Sequence, residues 1–379
     1  MNVIEEMFCL IRNEIKKEPL PNDAGFDIQR IYEMSKKHDM AHLIANAVIT
    51  NGMVSPESEL EEKLSNEFTR AVCREILTSS FLNKVCQIFT ENEIKYIPLK
   101  GAVIRNYYPE IWMRTSCDID ILIHEEDIDK ATKALLDNGF TTDSIKNYHD
   151  IRFYFGKILI ELHFSICENN KQLDRLLSKV WDHANPISAY EYQETPEYFV
   201  FHHIAHMAHH FLTGGCGIRP FIDLYVLKEK HFYDEEKLLP FLKESDLIKF
   251  YHAAVALAYT WMGEGQYDEL SSSIEKYIIN GGVYGSEDNE NMVGTVAYKG
   301  KRMYLLKLAF PPYRIMRVLY PTLNKRKILL PFYYVYRVIT KIFGKDRKKV
   351  KRRIDNTFSQ QEENLSFISN LLNELQLSK

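Results

Sequence analysis

The chain has 379 residues, 45% apolar and 26% charged, with a formal net charge of −4. That length points to two or three packed units, and the composition excludes global disorder. Six scattered cysteines without a C-x-x-C pair fit reduced, structural thiols better than a disulfide framework or a zinc site.

Glu5, Glu6 and Glu14 interrupt the first apolar stretch, so the N-terminus does not read as a signal peptide. No run approaches the ~18 apolar residues of a spanning helix. The expectation is a soluble, cytoplasmic protein. The small net charge conceals an asymmetry. Residues 301–353 carry 17 Lys and Arg against the single acid Asp346, while the rest carries 31 bases against 51 acids.

In chain order, residues 1–90 read as a helical unit. Ile28, Ile31, Tyr32 and Met34, then Leu43, Ile44, Ala47 and Val48, recur at three- and four-residue spacing. Asn51-Gly52 breaks the pattern and Ser55-Pro56-Glu57 restarts it as a long helix to about Phe89, with Leu60, Leu64, Phe68, Val72, Ile76 and Leu77 on one side. Residues 91–170 read as a small mixed α/β core. Lys95–Leu99 is a short strand, Ala102–Tyr108 is helical, and Asp118–Ile123 is a strand. Asp127–Asn138 is a helix stopped by Gly139, and Ile151–Phe155 with Lys157–Phe164 suggests a hairpin around Gly156.

Residues 171–379 return to helices. One contains His202, His203, His206, His209 and His210 and ends at Gly214-Gly215, and another runs from Arg219 to Lys230. Gly281–Gly285 is a loop. Beyond it Pro311-Pro312, Pro321 and Pro331 divide the basic segment 301–353 into short helices. Tyr304, Leu305, Leu308, Phe310, Ile328, Leu329, Leu330, Phe332 and Val335 are too many apolar residues for a solvated linker, so they are expected to pack. The chain beyond Phe343 is mostly polar until a short helix around Phe367–Leu375, and its removal is expected to spare the core.

Phosphoryl and nucleotidyl transfer need divalent cations held by closely spaced hard oxygen ligands. A D-x-D on one strand supplies two, because alternate side chains leave the same face. Asp118 and Asp120 meet that requirement, with Ile119 and Ile121 turned to the core. Glu161, an acid isolated in the apolar run Leu159-Ile160-Glu161-Leu162, needs compensation, and a metal would provide it.

Ile97-Pro98-Leu99-Lys100-Gly101-Ala102, Tyr108-Pro109, Arg114 and Asp118–Ile123 resemble the uncharacterised bacterial nucleotidyltransferase family of the polymerase-beta-like superfamily. Ile160-Glu161-Leu162-His163, the histidine-rich helix with Arg219-Pro220-Phe221-Ile222-Asp223, and Gly281–Gly285 fit the same layout. The resemblance runs from about Glu93 into the basic region. It implies an α+β fold, a small mixed sheet flanked by N- and C-terminal helical units with the cleft between them. It also implies transfer of an NMP group from an NTP, with ATP the expected donor, to a hydroxyl of an unknown acceptor, using Mg²⁺ or Mn²⁺.

Asp118, Asp120 and Glu161 are then the catalytic metal ligands. Lys100, Gly101, Arg114 and Ser116 are the nucleotide-binding candidates, and His163, His206, Arg219 and Asp223 the substrate-cleft candidates. The superfamily's loop usually reads Gly-Ser or Gly-Gly. Here Lys100-Gly101 lacks the hydroxyl, offering a close backbone approach and a point charge instead.

Alternatives stay open. A non-catalytic, antitoxin-like binding module or a phosphotransferase would use the same residues. The histidine helix lacks the glutamate of an H-E-x-x-H zinc site, which leaves a polar face over the cleft or a buried hydrogen-bonded network. The basic segment reads as a packed subdomain with a solvated face, as a surface for anionic membranes, or as a nucleic-acid contact, the last opposed by the acidic body.

Overall fold

The structure is a computed structural model. It describes residues 2–21, 25–146, 149–168, 170–283 and 285–378. The chain is α+β and divides into two compact units, one of residues 1–207 with 218–271, the other of 208–217 with 272–379.

The first unit opens with α1 (Val3–Lys16), α2 (Ile28–Lys37), α3 (Ala41–Thr50) and α4 (Glu59–Glu91). Asn2, Asp27 and Ser58 cap α1, α2 and α4 by accepting hydrogen bonds from first-turn amides. The buried side of α4 carries Leu64, Ala71, Glu75, Thr78, Val85, Ile88 and Phe89. Ile76 and Leu77, expected on the apolar side, are exposed. Glu75 is on the buried side instead, paired with the buried Arg105.

The sheet comes next, with β1 (Tyr96–Pro98), β2 (Asp118–Ile123), β3 (Thr141–Lys146), β4 (Asp150–Phe155) and β5 (Ile158–His163) in spatial order β1-β2-β5-β4-β3. β2 and β5 run parallel and the other neighbours antiparallel. The predicted hairpin is β4–β5, and β3 joins its outer edge. Between β1 and β2 lie the short α5 (Gly101–Ile104) and two 3₁₀ turns, and α6 (Ile128–Asp137) joins β2 to β3. Ile119, Ile121 and Ile123 of β2, Phe153 of β4 and Ile160 and Leu162 of β5 form one core with Val85, Ile88 and Phe89 of α4 and Ala131, Ala134 and Leu135 of α6. Because strand side chains alternate, this burial fixes the other face of β2 and β5 for Asp118, Asp120, Glu161 and His163.

The chain continues through α7 (Lys171–Leu177), the β6 (Ala184–Pro186)–β7 (Tyr192–Glu194) ribbon, α8 (Pro196–Leu212), α9 (Arg219–Glu229), α10 (Glu235–Glu244), α11 (Ile248–Trp261) and α12 (Glu269–Gly281). The second unit holds α13 (Glu287–Ala297), α14 (Lys301–Ala309), α15 (Tyr313–Leu319), α16 (Leu330–Phe343), α17 (Arg347–Ser359) and α18 (Glu362–Glu374). The glycine-rich stretch has a packing reason. At Gly285 a Cβ would collide with the Gly214 carbonyl. Tyr284 lies outside the described residues.

Two expectations for the basic segment are corrected. Tyr304 is buried, but Phe310, Ile328, Phe332 and Val335 are exposed. The tail after Phe343 is not merely polar: Ile368, Leu371, Leu372 and Leu375 are buried, and Arg353 of α17 pairs with Glu290 and Asn291 of α13.

Candidate active site

The site lies wholly in the first unit, on the polar face of β2 and β5. The parallel register sets Asp120 beside Glu161 and Leu122 beside His163. Asp118 is two residues before Asp120 and half-buried, while Asp120 and His163 are buried. His163 Nε2 donates to Asp120 Oδ1 at 2.8 Å and lies 4.0 Å from Glu161 Oε2. Asp120, Glu161 and His163 each bring one ligand atom to within 4.8 Å of the others.

Glu161 has a compensating cation within the protein. Arg152, opposite it on the antiparallel strand β4, donates Nε at 3.0 Å and Nη2 at 2.9 Å to Oε1. The isolated acid therefore does not by itself demand a metal. The alternation Ile151-Arg152-Phe153 places Arg152 on the polar face, but its pairing with Glu161 depends on the register of two strands.

Charge is unevenly distributed across the cluster. Burial, then repulsion from Asp120, raises the Asp118 carboxyl above its ordinary value. Burial, then Asp120 and Asp118, raises Glu161. Burial works the same way on Asp120 but is outweighed by the Lys100 ammonium, the His163 hydrogen bond and His206, which hold its carboxyl well below the usual range. Lys100 lies 3.4 Å from Asp120 Oδ1, and Asp120, Glu168, Asp118 and Glu161 together raise its pKa against the cost of its burial. Asp118 and Glu161 are thus both raised by burial and by their like-charged neighbours, with Lys100, His163 and Arg152 as the nearby cations or donors. Hard carboxylate oxygens with residual negative charge are a donor set suited to a divalent cation.

The turn leading into α5 is strained at Lys100, whose φ of 46° and ψ of −115° are uncommon for a residue with a side chain. The Leu99 amide ties the turn to β2 by donating to the Asp120 carbonyl at 3.0 Å. At Gly101 a Cβ would come within 2.7 Å of Ser116 Oγ and 3.4 Å of Arg114 Nη1. Lys100, Gly101, Ser116 and Arg114, read from separate places in the sequence, therefore meet at one turn.

Arg114 is committed elsewhere as well. Its guanidinium is buried against Asp223, with Nε at 2.9 Å from Oδ1 and Nη2 at 3.0 Å from Oδ2, and Tyr108 donates to Oδ1 at 2.8 Å. Thr115 O accepts from Arg114 Nη1 at 2.9 Å and from Arg219 Nη1 at 2.8 Å, and Arg219 also reaches Asp39 at 2.8 Å. Arg114, Arg219 and Asp223 together brace the loop that enters β2. His206 donates to Glu168 at 2.9 Å, His202 to Glu194 at 3.1 Å, and His203 to the Pro220 carbonyl at 3.1 Å. The histidine helix carries a hydrogen-bonded network.

Sequence reasoning missed Glu75 and Arg105. Both are buried: Arg105 Nη1 donates to Glu75 at 2.9 and 3.0 Å while its Nε holds the Gly101 carbonyl at 2.8 Å. The available signal was Glu75 in helical step with Ala71 and Thr78, an acid on the inward side of α4.

Fold and site together describe an α+β protein with a strand-borne acidic cluster of the kind that holds divalent cations. A family model described as an uncharacterised nucleotidyltransferase matches residues 24–263, and the chain belongs to that family. No curated protein and no solved structure matches it.

Proposed function

We propose that the protein transfers a nucleotidyl group from an NTP, ATP the expected donor, to an acceptor hydroxyl in the cytoplasm, releasing pyrophosphate. The observation that supports this most is the pairing of Asp120 with Glu161 across the parallel β2–β5 register, with Asp118 on the same face. Asp118, Asp120 and Glu161 would hold Mg²⁺ or Mn²⁺, with His163 beside them hydrogen-bonded to Asp120. A cation held there would supply charge neutralisation at phosphate and a lowered pKa of the acceptor hydroxyl. Glu161, its pKa raised by burial and by the two aspartates, takes the acceptor's proton. The acceptor oxygen bonds to the α-phosphorus as the bond to the pyrophosphate oxygen breaks. Lys100 and the Gly101 backbone hold phosphate, with Ser116 lining the same turn. Arg114, Arg219 and Asp223 act as positioning residues that fix the entry to β2.

A second reading, a nucleotide-binding module without turnover, draws on the pairing of Asp120 with Lys100 and His163 and of Glu161 with Arg152. Incubation with α- and γ-labelled NTPs, Mg²⁺ or Mn²⁺ and cell extract separates the readings. Transfer of α-label supports nucleotidyl transfer, transfer of γ-label alone indicates a phosphotransferase, and tight binding without transfer indicates the module.

A further inference from the structure

The second unit turns an apolar helix face outward. At 100° per residue, Phe332, Val335, Tyr336, Ile339, Ile342 and Phe343 of α16 fall within one arc of about 120°, and all six are exposed. Phe332 is 72% and Phe343 78% exposed, and Ile328, just before the helix, is 85% exposed. Among the described residues of α16 none is buried. Its half-buried side carries Arg337 and Lys341 with Tyr333, Tyr334 and Val338. This inverts the usual arrangement, in which the apolar stripe faces the protein.

Exposed cations bracket the stripe at both ends. Lys325, Arg326 and Lys327 precede it, and Lys345, Arg347, Lys348 and Lys349 come after it. The single acid of residues 301–353, Asp346, pairs with Lys341. These charges decide among occupants. Two copies packed antiparallel through α16 would set the first basic cluster against the second, and packed parallel would set each against its own like, so self-association meets repulsion either way. A nucleic acid would use the cations and could stack on the aromatics, but would leave Val335, Ile339 and Ile342 in water.

An anionic bilayer surface uses both, with acyl chains taking the stripe, headgroups the lysines and arginines, and the tyrosines the boundary. At 1.5 Å per residue α16 is about 21 Å long, short of the ~30 Å hydrocarbon core. Among the described residues no helix is long and apolar enough to cross a membrane. The geometry is that of a helix lying in the interface. We propose that α16 and its basic flanks form a peripheral docking surface for an anionic lipid bilayer.

The test is flotation of the full chain with vesicles of phosphatidylcholine alone or mixed with phosphatidylglycerol, at low and physiological ionic strength. The expected result is binding to the mixed vesicles that weakens with salt. Phe332→Ser and Phe343→Ser should each weaken it roughly tenfold or more, and Lys348→Gln or Lys349→Gln about fivefold each. These positions are exposed, so thermal transitions should match the parent. Phe332→Trp provides an independent readout, its fluorescence shifting to the blue and being quenched by brominated lipid. The proposal is overturned by absence of binding to anionic vesicles at low salt, or by binding that survives the double serine variant. Concentration-dependent dimerisation lost in Phe332→Ser without vesicle binding, or RNA binding without vesicle binding, would likewise overturn it.

Discussion

Replacing Asp223 by Asn keeps the shape of the side chain and removes the charge that Arg114 is buried against. Asp223 is 0% exposed, and its carboxylate accepts from Tyr108 and from two guanidinium nitrogens. A guanidinium does not shed its proton in a protein, so the variant leaves a cation buried without its counter-charge and faces it with an amide donor. Breaking a buried pair from one side costs about 3–5 kcal/mol. In a unit of this size that lowers Tm by about 6–20 °C.

Arg114→Met should cost less, because the remaining carboxyl can take up a proton and become neutral. The double variant Arg114→Met with Asp223→Leu should recover most of the loss, since no unpaired charge remains. Thermal and urea unfolding of the three variants measure all of this. Asp223→Asn within about 1 kcal/mol of the parent, or a double variant less stable than either single one, would refute the view that this pair braces the loop into β2.

Lys100 combines charge with backbone strain, and two substitutions separate them. Both Lys100→Met and Lys100→Gly should weaken NTP affinity by about 1.5–3 kcal/mol and leave nucleoside affinity unchanged, with the Gly variant about 1–2 kcal/mol more stable than the Met variant because its backbone accepts the positive φ. Equal stability would place the strain elsewhere. In metal-free protein Asp118 and Asp120 should behave oppositely. Asp118, raised by burial and by Asp120, costs stability once ionised, and that cost is absent below the ordinary aspartate range and appears as pH rises through the raised value. Asp118→Asn should therefore match the parent in acid and exceed it at neutral pH. Asp120, held low by Lys100 and His163 against its burial, stabilises above the ordinary range and loses that contribution as pH falls through the depressed value. Asp120→Asn should be less stable at neutral pH, and pH-dependent unfolding curves check both signs. Truncation after Phe343 removes the buried Ile368, Leu371, Leu372 and Leu375, worth about 1.5–3 kcal/mol each, and should leave the second unit unfolded or insoluble. A soluble product with an unchanged thermal transition would contradict the packing of α18.

Strand β2 was legible because its isoleucines alternate with aspartates, a period-two signal that also set Asp118 and Asp120 on one face, and β5 because an apolar run with the isolated Glu161 follows the Gly156 turn. β3 was not: Thr141-Thr142-Asp143-Ser144 has no alternation of that kind, and it joins the sheet through pairing with β4. Pro331, read as a division between short helices, does mark one: it sits in the first turn of α16, where a missing amide hydrogen costs nothing. The basic segment was misjudged because its apolar residues were counted without asking which side of a helix each occupied. Ile328, Phe332 and Val335 are apolar and exposed. Partners distant in sequence were the least accessible. Arg114 and Asp223 lie 109 residues apart, and Arg105 and Glu75 lie 30 apart. In both cases the sequence supplies the charges while the fold chooses the pairs.

The proposed activity requires the acidic cluster on β2 and β5 to hold a divalent cation together with nucleotide. Titrating Mn²⁺ into the protein with an NTP present, and following unbound Mn²⁺ by electron paramagnetic resonance, tests this without knowledge of the acceptor. The expected result is a saturable site in the parent, weakened by more than tenfold, about 1.4 kcal/mol, in Asp120→Asn and by less than that in Glu161→Gln. Equal Mn²⁺ affinity in the parent and in Asp120→Asn would contradict it.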